Sequence, residues 1–110
     1  MASNPPTMPP AMLEALGRLW TKFLPEIENR MAILESAARS QRSGSLSVPE
    51  REAAHQAAHK LAGVLGTFGL DRGTELARQA ELGFSEEKPA SATELSTWVA
   101  EMRMLIDQRK

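Results

Sequence analysis

The 110-residue chain has no cysteine, no tyrosine, only three phenylalanines and two tryptophans, and a formal net charge of −1. Each shortage excludes something. Without cysteine there are no disulfides, no thiolate zinc sites and no cysteine nucleophiles, which fits a reducing compartment such as the cytoplasm. Near-neutral charge and few aromatic rings leave neither a basic field for phosphates nor stacking platforms for bases, so nucleic acid is not an expected partner. No apolar run approaches the roughly 18 residues of a membrane span, and the first residues lack the basic-then-apolar order of a secretory signal. Strict period-two alternation is missing as well, which argues against a sheet.

Helical periodicity is abundant. Four of the seven prolines fall in residues 1–10, so residues 1–9 read as a disordered tail or linker remnant, with the folded domain at 10–110. From Met12 the apolar positions Leu13, Leu16, Leu19/Trp20, Phe23/Leu24, Ile27, Met31, Leu34 and Ala38 recur every three or four residues. Pro25 interrupts this stripe without changing its phase, and predicts a short lead-in helix followed by a collinear main one, with a kink or a break near Leu24. The polar stretch Ser40–Ser47 reads as a loop. Ser47 and Glu50 form a capping box that starts a second helix near Val48, running to about Phe68, where Gly69 suits a left-handed cap. Asp71 opens a third helix that Gly83 stops. Ser91 and Glu94 form another capping box, ahead of the apolar series Leu95, Trp98/Val99, Met102 and Leu105/Ile106. Four main helices with short connections predict an all-α, antiparallel up-down four-helix bundle with a short N-terminal lead-in helix.

The segment Glu52–Gly69, EAAHQAAHKLAGVLGTFG, has two unlike faces. At about 100° per residue, Glu52, His55, Gln56, His59, Gly63 and Gly66 share one side, and Ala54, Ala57, Leu61, Val64, Leu65 and Phe68 the other. Two glycines on the polar side, each costing about 1 kcal/mol relative to alanine inside a helix, clear one flank of the His59 imidazole for something large.

His59-Lys60-Leu61-Ala62-Gly63, followed by Gly66-Thr67-Phe68-Gly69-Leu70, resembles the signature of histidine phosphotransfer (HPt) domains. Only Ala58–Leu70 is specific at this level, although helix count and order agree from about Leu19 to Ile106. The resemblance implies the same bundle and a phosphoryl carrier rather than an enzyme: His59 accepts a phosphoryl group from a receiver-domain aspartate and passes it to another. No cofactor is then bound by this chain, because the Mg²⁺ belongs to the partner receiver. A neutral imidazole suits the task, being nucleophilic at neutral pH and forming a reactive phosphoramidate.

Further roles follow from the same resemblance. The family often has lysine three residues after the histidine; Ala62 stands there, and Lys60 is the nearest candidate to supply charge. Serine, common after Gly63, is replaced by Val64. Glu81 matches a position whose side chain holds the imidazole, with Gln56 as a competing partner. Gly63, Gly66, His55 and Ala62 would belong to the docking surface, and the module is expected to be a monomer. His55, His59 and Glu52 could also be read as metal ligands, but two histidines and no cysteine leave a closed site short of donors, so no metal site is assigned. Neither a phosphate-cradling loop nor a nucleophile elbow is present. The competing reading is a helical scaffold or adaptor without phosphoryl chemistry, in which the glycines mark a tight helix crossing.

Overall fold

The computed structural model describes residues 8–110, so the expected tail lies outside the described residues except for Met8 and Pro9. Four helices make up the fold: α1 (Pro10–Arg42), α2 (Val48–Thr67), α3 (Asp71–Gly83) and α4 (Ala92–Arg109), with no strand among the described residues. They pack in a ring, α1 on α2, α2 on α3, α3 on α4 and α4 on α1. With short connections this is the antiparallel up-down bundle.

The helix ends follow from local chemistry. Both capping boxes form: the Ser47 and Ser91 hydroxyls accept from the Glu50 and Glu94 backbone N–H groups, and both glutamates reach back to the cap. At the C-terminus of α2, Gly69 adopts φ +75°. Its N–H then donates to the Gly66 carbonyl and that of Leu70 to the Leu65 carbonyl, closing the turn that satisfies orphan carbonyls. Gly44, at φ +72°, ends α1 in the same way. This carries α1 through Ser40, Gln41 and Arg42, which the sequence placed in the loop.

The expected break at Pro25 does not occur, and the lead-in helix is the first part of one 33-residue helix. Pro25 lies on the solvent face, as does Thr21, whose carbonyl loses its intrahelical donor. Water can satisfy that carbonyl, so the helix continues at the expense of a single bond.

The core holds Ile27, Met31 and Leu34 of α1, Leu61 and Leu65 of α2, Leu76 of α3, and Leu95, Met102 and Ile106 of α4. Phe84, just past α3, is also fully enclosed. Trp20 is the first buried residue of α1, edge-on to Phe68 with ring centroids 5.2 Å apart and with the Arg109 guanidinium over its face. Before Trp20 only Leu16 of the apolar stripe packs in part against the core; Leu13 is 56% exposed and Leu19 41%, contrary to the expectation that both pack inward. At 1.5 Å per residue α1 is about 50 Å long and outruns its partners. Phe23 is likewise on the surface.

Candidate functional site

His59 sits past the middle of α2 with its side chain 72% exposed, while that of Glu81 is 25% exposed. Its Nδ1 lies 3.0 Å from Glu81 Oε2, across the seam between α2 and α3. A carboxylate only accepts, so Nδ1 carries the proton and donates it. In the neutral ring, Nε2 is then left with a free lone pair. Glu81, rather than Gln56, holds the ring; Gln56 is exposed and lines the shallow groove between His59 and Glu81.

The α2–α3 seam is close because small residues line it. Thr74 Oγ1 donates to the Ala62 carbonyl, 3.1 Å away. A Cβ built on Gly66 would lie 3.2 Å from that hydroxyl, and one on buried Gly73 would lie 3.0 Å from Leu65 Cδ1. Gly66 therefore has a packing reason for being glycine in addition to its place on the polar stripe. Gly63 has none: among the described residues nothing lies within 4 Å of where its Cβ would be. The tight-crossing explanation thus applies to Gly66 and fails at Gly63.

Two of the residues expected to form the docking surface are placed differently. Ala62 is 5% exposed and faces the α3 seam, so its methyl belongs to the core and cannot offer a docking surface. His55 is half-buried, with its Nδ1 on the Glu81 backbone carbonyl at 2.8 Å. Lys60 is exposed beside His59, and among the described residues no carboxylate lies within ion-pair distance of it. On the α1 side, Phe23, Glu26 and Arg30 wall an open groove with His59, Lys60 and Gly63. Sequence reasoning missed this wall; only Phe23 was singled out, and it was assigned to the core.

Among the described residues no group of three or more histidine or acidic side chains is placed to hold a metal ion, and no helix is long and apolar enough to cross a membrane.

The sequence matches the Hpt domain family over residues 18–109. The chain belongs to that family. As an Hpt domain it is a carrier module for histidine phosphotransfer in two-component phosphorelays. It is similar to Protein RcaC of Microchaete diplosiphon, with 36% identity over 98 residues, which cover 86% of this Hpt chain. The same alignment covers 15% of RcaC, so the chain spans a small part of that relative's length. No solved structure matches the chain.

Proposed function

We propose that His59 is the phosphoryl acceptor and donor of this Hpt domain, exchanging the group with aspartates of receiver domains. The observation that carries this reading is an exposed imidazole whose Nδ1 is held by Glu81, leaving Nε2 as the nucleophile. In the forward step Nε2 forms a bond to phosphorus, the acyl P–O bond of the aspartyl phosphate breaks, and the aspartate carboxylate leaves. The Nδ1 proton stays in its hydrogen bond to Glu81, which stabilises the positive charge that develops on the ring. Return of the phosphoryl group to a second receiver reverses these changes. The chain contributes position and a nucleophile; the Mg²⁺ that neutralises the phosphoryl oxygens is supplied by the receiver, and the chain binds no cofactor of its own.

Gly63, without a side chain on the histidine face, supports close approach of the receiver along the α1–α2 groove. The partly exposed apolar side chains of Leu19 and Phe23 adjoin that approach and suit a partner surface with an apolar rim. Lys60, which lines the grooves on both sides of His59, takes the role that Ala62 leaves vacant. The domain acts as a cytoplasmic monomer and is not an enzyme in its own right.

Incubation with a phosphorylated receiver and Mg²⁺ tests the assignment. Label that is acid-labile and base-stable should appear on the wild-type chain and vanish in His59→Gln. The melting temperature should barely change, because replacing an exposed polar residue alters stability by less than about 0.5 kcal/mol. Undiminished labelling of His59→Gln would refute the assignment.

A further inference from the structure

The end of α3 has a gap in its hydrogen bonding. In a regular helix the Glu81 carbonyl would accept from the N–H of Ser85. That N–H instead bonds the Leu82 carbonyl, while Phe84 N–H takes the Ala80 carbonyl and Ala90 N–H takes that of Gly83. The Glu81 carbonyl is left without a backbone donor, as the last carbonyls of a helix commonly are. His55 fills the vacancy from a different helix, with Nδ1 2.8 Å from the oxygen. A carbonyl only accepts, so His55 carries its proton on Nδ1.

His55 and His59 lie four residues apart on one face of α2 and grip the same residue of α3 at two points, one on its backbone and one on its carboxylate. One turn earlier on the same face, Arg51 pairs with Glu86 at 2.7 Å and ties down the loop that follows α3. From this we infer that His55 is a positioning residue for phosphoryl transfer. By holding the Glu81 carbonyl it fixes the rotation of the last turn of α3 against α2. That rotation places Oε2 where it selects the Nδ1–H tautomer of His59 and orients the ring. A free turn would let the carboxylate swing toward water, and an exposed imidazole without a fixed partner populates both tautomers.

Chemistry separates this role from simple packing. Asparagine places an amide nitrogen at the same bonded distance from Cβ as histidine Nδ1, so His55→Asn keeps a donor for the Glu81 carbonyl. His55→Ala has none. Alanine is the better helix former, so if His55 mattered only for the stability of α2, the alanine variant would be the less harmful of the two. The clamp requires the opposite order.

The decisive measurement is the tautomer of His59, read from imidazole ¹⁵N shifts of the full chain with no receiver present. Wild type and His55→Asn should show a predominantly Nδ1–H ring at position 59, and His55→Ala a mixture. The initial rate of phosphoryl acceptance should fall about fivefold in His55→Ala, the worth of one ordinary hydrogen bond, and recover in His55→Asn. In a Glu81→Ala background, His55→Ala should add nothing further, because its effect passes through Glu81. An unchanged His59 tautomer in His55→Ala, or an asparagine variant as impaired as the alanine one, would overturn the inference. The rate arm rests on the reading of His59 as acceptor and the tautomer arm does not. Loss of labelling at position 59 in the wild type would therefore count against the acceptor assignment alone.

Discussion

The two helix seams on opposite sides of this bundle are held by different means. Between α2 and α3 there is close contact: Gly66 against Thr74, Gly73 against Leu65, and two histidines on one glutamate. Between α1 and α4 the connection is a clasp of charges. Arg103 reaches Glu28 at 2.6 Å, Glu35 at 2.9 Å and Asp107 at 3.3 Å, and Lys110 joins Glu28 and Asp107. Lys110, and after it Arg103, holds both the Glu28 and the Asp107 carboxyl below its usual range. Opposing carboxylates raise the Arg103 guanidinium further above its already high value. The seam that holds His59 against Glu81 uses short-range packing and directional bonds. The seam that only closes the bundle uses long, adaptable side chains, whose attraction salt and acid can weaken.

Breaking the packed seam should have the largest effect on stability. Gly73→Val adds branched bulk where even a Cβ lies 3.0 Å from Leu65. Overpacking of this kind costs about 1–3 kcal/mol, and here it also pushes α3 away from His59. Denaturant unfolding should show the loss and the labelling assay a slower transfer; a variant that folds normally and transfers slowly would show that seam geometry, rather than stability, controls the site.

Breaking the clasp should cost less and leave the chemistry alone. Arg103→Ala is expected to lower stability by about 1 kcal/mol at low salt, less at high salt, with no change in phosphoryl acceptance. The pH dependence follows from the direction of the shifts. Glu28 and Asp107 have folded-state values below their unfolded ones, so their contribution is complete above about pH 5 and is lost as pH falls through the lowered folded values. Melting curves between neutral and acid pH should show this loss in the wild type and a shallower dependence in Arg103→Ala. Equal acid sensitivity of the two proteins would remove Arg103 from the account.

The smallest effect is expected at Gly63, where the seam comparison becomes a test of docking. Gly63→Gln should stabilise the isolated domain by about 0.5 kcal/mol, because a better helix former enters open space. The same side chain should hinder an approaching receiver and slow transfer. A destabilised variant would mean that Gly63 packs against something, and an unhindered one would remove its docking role.

Much of this arrangement was legible in the sequence wherever the signal is local. The Ser47–Glu50 and Ser91–Glu94 boxes start their helices, Gly69 ends α2, and the His59 stripe faces water. Periodicity identifies which face of a helix is apolar, but not how far along its length a partner extends. Leu13, Leu19 and Phe23 were for that reason assigned to the core. A helical wheel also treats the two flanks of His59 as equivalent. The bundle does not, because α3 closes over the Ala62 flank while the Gly63 flank stays open. Pro25 was read as a kink or a break because its cost depends on whether the orphaned carbonyl meets water, a tertiary fact. The bond from His55 to the Glu81 carbonyl had no sequence signal, since every residue carries a backbone oxygen.

The two seams also differ in how much chain separates their partners, and this bears on the order in which they form. His59 and Glu81 are 22 residues apart, joined through the tight turn after α2, whereas Arg103 and Glu28 are 75 apart. Closing the shorter loop costs less conformational entropy, so the α2–α3 hairpin can form its contacts first. The clasp then belongs to the late part of folding, and Arg103→Ala should speed unfolding while leaving the refolding rate nearly unchanged, as stopped-flow measurements would show. The histidine and its glutamate would thus be aligned within the nascent hairpin, before the remaining helices enclose the core.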